Sequence, residues 1–306
     1  MPVRTRRSVL CMVLAMSALW SATSAAQELV PRAYWPAPVG TNLLVIGYQH
    51  VSGDVVTDAT LPLDGVESTF EYFQASYQRT LNVLGRTSNL QFNLPYTRGR
   101  AEGLVEGEFR RRDISSFADA RFQFSINLRG APTMDNAAFR ELVAKPRTII
   151  AASILIQPPS GSYDVDKAIN AGSNRWSSKL ALGGIWPLVH GWLFEASAGL
   201  WFFGDNDEFL GTTRQQDPIF ASEVHLVRTN RSGLWIAFDG TYYSGGQTTI
   251  GGVSRDDRQE NSRIGVTLLY PIQRRHAIRL AYSTAISTEI GGDYDSFSLN
   301  YAYLWQ

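Results

Sequence analysis

Residues Ser296 to Trp305 set the strongest limit on what this chain can fold into. Phe297, Leu299, Tyr301, Tyr303 and Trp305 occupy alternate positions, with Ser298, Asn300 and Ala302 between them. A period of two is a strand with one apolar and one polar face. Earlier segments repeat the pattern, and no set of amphipathic helices is left to cover the apolar faces. The cover inferred is lipid, and lipid tolerates a sheet only when it closes and leaves no unpaired edge. The sequence therefore predicts an all-β chain: a transmembrane antiparallel up-and-down β-barrel of about 12 strands, the last pairing with the first.

Composition fits. Charged residues are 18% of the chain and aromatic residues 12%, as in a barrel with aromatic girdles and polar loops. The only long apolar run, Val9 to Trp20, follows Arg4, Arg6 and Arg7 and precedes the small residues of 21–26. That is a cleaved signal peptide, 1–26. A periplasmic arm, 27–40, with Pro31, Pro36 and Pro38, then leads to the barrel, 41–306. The single cysteine, Cys11, lies in the signal, so the mature chain has no thiol chemistry or disulfide. Removing three arginines from 28 basic residues leaves 25 against 28 acidic, a net of −3, and nothing suggests nucleic-acid binding.

The expected strands begin near Thr41, Val66, Leu90, Ala120, Thr148, Trp176, Trp192, Ile219, Leu234, Ile264, Ile278 and Ser296. Each is about ten residues long, the length a tilted membrane strand needs. In the second, Phe70, Tyr72, Gln74 and Gln78 share one face and Glu71 and Phe73 the other, so its facing is open. Connections after odd-numbered strands read as long and polar, and those after even-numbered strands as short, as an even barrel with both termini in the periplasm requires. The exception is 132–146, where Phe139, Leu142 and Val143 have helical spacing behind a capping Asp135; it predicts a short helix on the periplasmic rim.

Five segments stand out: Pro31-Arg32-Ala33-Tyr34-Trp35-Pro36, Pro159-Ser160-Gly161-Ser162-Tyr163-Asp164, Asn170-Ala171-Gly172-Ser173-Asn174-Arg175-Trp176, Tyr242-Tyr243-Ser244-Gly245-Gly246 and Gly291-Gly292-Asp293-Tyr294-Asp295. Together they resemble the MetA-pathway of phenol degradation family of outer-membrane, transporter-like proteins. The resemblance implies a porin-like barrel in a Gram-negative outer membrane, linked to uptake of aromatic compounds. The chain ends Trp305-Gln306, whereas barrels usually end on the aromatic residue itself.

The polar alternate positions give candidate lumen residues: Arg121, Gln123, Asn127, Lys179, Glu195, Glu223, His225, Asp239, Arg263 and Arg279. Their mixed signs suit either a water-filled solute path or a lumen closed by ion pairs. The expected function is passive passage of small solutes, hydrophobic or aromatic ones among them, with no cofactor. Expected partners are outer-membrane lipids, lipopolysaccharide, the barrel-assembly machinery and the solute. Alternatives are a lipid hydrolase using His50 and Ser52, two apart on one face, and a structural or adhesion barrel with a plugged lumen. Asp205-Asn206-Asp207-Glu208 could hold calcium and Arg110-Arg111-Arg112 lipopolysaccharide phosphate, though solvated loops explain both. Asn174-Arg175-Trp176 either folds the third external loop inward or anchors a girdle tryptophan.

Overall fold

The structure is a computed structural model that describes residues 30–54, 63–105, 108–230, 232–289 and 293–306. Twelve antiparallel barrel strands lie among them: β1 Asn42–Asp54, β2 Leu63–Val83, β3 Arg86–Val105, β4 in two parts, Glu108–Phe117 and Arg121–Arg129, β5 Ile149–Gln157 and β6 Ser177–Pro187. The rest are β7 Trp192–Phe203, β8 Ile219–Thr229, β9 Trp235–Gly245, β10 Gln259–Gln273, β11 His276–Thr288 and β12 Asp293–Trp305. Each pairs with its sequence neighbours, and β1 closes on β12 from Asn42↔Trp305 to Asp54↔Asp293. The closed barrel leaves no edge within it, as lipid demands, while Glu108–Phe117 pairs with β3 alone.

The outer face carries large apolar side chains on every flank, such as Ile46, Leu90, Leu182, Phe238 and Tyr301, all exposed. On a soluble protein so continuous a belt would aggregate; around a closed barrel it is the lipid contact. At the end where β1 begins and β12 finishes the belt ends in aromatics, with Trp305 tilted against Tyr77 at 6.2 Å and stacked on Tyr303 at 5.4 Å. Alternation puts Phe70 and Ser76 of β2 inside and Phe73 and Tyr77 outside, so Gln74 and Gln78 face inward too.

Three expectations need correction. β2 and β3 run 21 and 20 residues, β2 a little past the expected 66–81 at both ends and β3 about twice the ten expected of a strand. The long loop expected after β3 is instead paired strand, with residues 106–107 alone between Val105 and Glu108. Here the inward face is largely small and apolar, with Gly99, Ala101 and Ile114, and the outward face carries charges, so backbone pairing continues beyond the run of large outward apolar residues. Arg100 opposes Asp113 at 2.9 Å, and Arg111 meets Asp113 at 2.9 Å and Glu102 at 3.7 Å. Such exposed pairs contribute little, about 0–1 kcal/mol each. The second correction is that Arg110-Arg111-Arg112 lies on this strand, not in a turn. Third, the stretches expected as plain loops at 205–217 and 244–260 contain two hairpins, Asn206–Phe209 with Thr212–Gln216 and Thr248–Ile250 with Val253–Ser254, joined into one small sheet. Leu210-Gly211 and Gly251-Gly252 turn them with positive φ at both residues, the type I′ geometry that two-residue hairpins favour.

Helix α1, Asn136–Ala144, forms where its pattern predicts, with Asp135 accepting from the amides of Ala137 and Ala138 at 2.9 and 2.8 Å. Leu142 is buried at 3%, Phe139 half-buried and Val143 exposed.

Candidate lumen site

Inside the wall the chain builds three tiers. The tier at the end with both termini is apolar and filled. The proline-rich segment before β1 turns inward, where Tyr34 packs with Met134, Leu142, Ile149, Ile185, Leu193, Val227 and Trp235. The Tyr34 hydroxyl lies 3.0 Å from Ser153 Oγ, and the Arg32 amide donates to Glu195 Oε2 at 2.6 Å. Gly183 makes room: a Cβ there would sit 2.2 Å from the Tyr34 ring. Arg32 itself stacks over Trp35, 4.2 Å from the ring centroid. Its guanidinium is drawn down to about 10 by burial, with the Glu195 carboxylate opposing.

The middle tier is polar. Glu195, His225 and Asp239 sit directly opposite one another on β7, β8 and β9. His225 Nδ1 is 2.7 Å from Asp239 Oδ1, Thr267 donates to Asp239 Oδ2 at 2.7 Å, and Lys179 meets Glu223 at 3.0 Å. Across the lumen, Asn93 donates to Gln74 and Gln74 to Asn300, each at 3.1 Å. Arg263 lies over Tyr294 at 3.8 Å and donates to Ser283. Arg121 donates to Gln157 at 3.3 Å.

All ten lumen candidates lie on inward-facing positions. The structure brings Lys179, Glu195, Glu223, His225 and Asp239 into one cluster on β6–β9. Arg263 and Arg279 stand on β10 and β11, and Arg121, Gln123 and Asn127 on β4.

The third tier, away from the termini, is a loop drawn in from the rim. Residues 158–176 fold back against Phe70, Ala101 and Ile114 through Ile169 and Ala171. One carboxylate holds them. Asp119 accepts from the amides of Ser160 (2.9 Å), Gly161 (2.7 Å) and Ser173 (2.8 Å), from Ser173 Oγ (2.6 Å) and from Gln157 Nε2 (3.3 Å). Gly161 and Gly172 pass so closely that a Cβ on either would come within 2.8 Å of backbone.

Asp119 reaches inward because the wall is irregular there. Tyr96 pairs with Phe117 and Asn93 with Arg121, so three residues oppose two, a bulge that also reverses which parity faces in. Pro95, which has no amide hydrogen, sits opposite it and accepts from Ala118 N at 3.0 Å. Sequence reading passed over Asp119; the signal available was an acid just ahead of Arg121 where the alternation stumbles.

The remaining motifs have structural employment. Asn206 donates to Tyr163 (2.9 Å) and accepts from Asn174 (3.1 Å), while Asp205, Asp207 and Glu208 accept from Gln215, Thr213 and Asn174. Among the described residues no group of three or more His, Cys, Asp or Glu stands in metal-holding array. Arg112 reaches Ile169 O and Asp164. Trp176 points outward at 60% exposure while Arg175 is buried inside, so that triplet both anchors the wall and turns the loop in. His50 and Ser52 stand opposite Phe297 and Asp295, on the outward parity away from the lumen.

The barrel matches known structures. An outer-membrane channel from Pseudomonas putida F1 superposes with a TM-score of 0.76 at 22% identity, covering 91% of this chain and 100% of that one. The transport unit of the autotransporter AIDA-I from Escherichia coli gives 0.50 at 10% identity, covering 92% and 94%. The NanC porin gives 0.48 at 9%, covering 85% and 98%. Comparison with curated proteins finds no match. The superposition on the Pseudomonas putida F1 channel gives the fold as that of an outer-membrane barrel. The family described as "Putative MetA-pathway of phenol degradation" matches residues 50–301, and this chain belongs to it.

Proposed function

We propose that the barrel is a passive outer-membrane channel for small compounds, apolar and aromatic ones among them, with both termini in the periplasm. The observation that carries this reading is the polar middle tier. Buried inward-facing atoms such as Thr241 Oγ1, Asn127 Nδ2 and Glu195 Oε1 have no protein partner. Leaving such a group unsatisfied costs about 1–3 kcal/mol, so a lumen lined by several of them is stabilised by water or by a polar solute. Aromatic side chains, Trp201, Phe203 and Tyr243, line the same inner wall nearer the loops. The channel from Pseudomonas putida F1 supports the assignment by its shared fold. Uptake of aromatic compounds fits the family's description.

On this reading residues 1–26 are removed on export. The barrel-assembly machinery then inserts the rest into a lipopolysaccharide-bearing membrane of a Gram-negative cell. N-terminal sequencing of the membrane form should begin at Gln27. Refolded protein of residues 27–306 should give discrete, stable conductance steps in planar bilayers. Folded protein that inserts and stays silent would sink the channel reading.

A further inference from the structure

The inner mouth near the loops holds two guanidinium groups with no carboxylate in contact with either among the described residues. Arg175, just ahead of β6, is 5% exposed. Its Nη2 donates to the neutral amide oxygen of Gln216, and its Nη1 is buried with no acceptor. Arg214, in the loop hairpin, lies over Phe209 at 5.2 Å, and its Nε is also buried with no acceptor. Nearby acids are engaged elsewhere: Asp119 holds the loop, Asp205 accepts from Gln215, Glu208 from Asn174, and Glu223 pairs with Lys179. Among the described residues no carboxylate pairs with Arg175 or Arg214. Burial pushes the Arg175 guanidinium down, to about 9, the Arg214 charge lowers it further, and the Asp119 and Asp205 carboxylates oppose both. The guanidinium stays charged at neutral pH. A buried guanidinium and a half-buried one that each keep a buried donor unfilled are costly, and a planar oxyanion is the group their forked donors fit.

The wall beside them is aromatic. The Arg175 guanidinium stands 4.6 Å from the Phe203 ring centroid. Phe203 stacks on Trp201 at 6.3 Å and 8°, and Lys179 Nζ lies 5.9 Å from the Trp201 ring. Trp201 is 4% exposed and its Nε1 is a third buried donor with no acceptor. Cationic donors therefore lead into a flat apolar surface that ends in one more donor.

We propose that this mouth is a binding site for small aromatic carboxylates. The carboxylate meets Arg175 and Arg214, and the ring lies along Phe203 and Trp201. Trp201 Nε1 donates to a second oxygen on rings that carry one. The proposal deepens the channel reading by naming a solute class, and binding can be tested apart from conduction.

The experiment is calorimetric titration of the refolded 27–306 protein in detergent with sodium benzoate, sodium acetate, benzamide and sodium 4-hydroxybenzoate. Benzoate should bind at least tenfold more tightly than acetate or benzamide. R175Q and R214Q should each weaken benzoate at least tenfold. 4-Hydroxybenzoate should bind more tightly than benzoate, and W201F should remove that advantage. Heat-dependent gel migration checks that each variant folds; if R175Q does not fold, R214Q, on a loop hairpin, decides alone. No benzoate binding, or binding unchanged in the folded arginine variants, would overturn the site. Acetate binding as tight as benzoate would overturn its aromatic half. Bilayer recordings on the same preparation separate the two ideas: benzoate binding without conductance leaves the site standing and the channel reading fallen, and conductance without benzoate binding does the reverse.

Discussion

The two ends of the lumen are closed in by opposite means. At the end with both termini, the inward arm and α1 are held largely by apolar packing around Tyr34, Met134 and Leu142. At the other end, a loop is held by the five hydrogen bonds of Asp119. Apolar packing is non-directional and fills whatever space it is given. Hydrogen bonds to a fixed carboxylate dictate position and leave space beside the loop. The contrast teaches that a barrel of this size uses packing where it needs a stopper and directed polar bonds where it needs a shaped opening.

The comparison is broken most directly by removing the stopper. Deleting residues 27–38 should raise single-channel conductance several-fold in planar bilayers, since the packed tier loses its centre; an unchanged conductance would mean the limiting aperture lies elsewhere. Tyr34→Ala should give a smaller rise with frequent transitions between levels, because the cavity left in a packed cluster costs about 3–5 kcal/mol. At the opposite end, Asp119→Ala should leave the barrel folded. It should speed hydrogen exchange across 158–176 by tenfold or more, read by mass spectrometry, with little change across the arm. Equal effects at both ends would erase the distinction. In the middle tier, Glu223→Gln takes a negative charge from beside Lys179, so the reversal potential in a potassium chloride gradient should move toward anion selectivity. The smallest effect belongs to His50→Ala and Ser52→Ala. Both sites face away from the lumen, so conductance should hold and stability should change by no more than about 0.5 kcal/mol. A lipid hydrolase activity lost with Ser52 would contradict this.

What could be read in the sequence followed what lipid enforces. Wherever a strand crosses the apolar belt, one parity must be apolar, so β7 and β12 are plain in the letters, as is the polar face carrying Glu195. Outside lipid that constraint lapses. Residues 98–103 alternate charge with glycine and alanine, and 110–113 are four charges in a row, so no run of large apolar residues separates a paired ribbon from a loop. The arm was harder still, since Pro31, Tyr34, Trp35 and Pro36 have no period at all; their position depends on a gap at Gly183, some 150 residues away. Asp119 went unread for a similar reason: a bulge shifts parity by one, and its place opposite Pro95 is visible only once the register is known.

The last residue ties this account to the order of events in assembly. Gln306 accepts from Asn136 at the start of α1 at 2.7 Å and donates to Val39 O at 3.0 Å. Arg32 meets Glu195, 163 positions along the chain. The seat of the stopper is thus made of pieces from the beginning, middle and end of the polypeptide. Tyr34 packs on β5–β9 and α1, whereas the tie from Gln306 to Val39 needs β12 in place, so that last bond is a record that the barrel has closed.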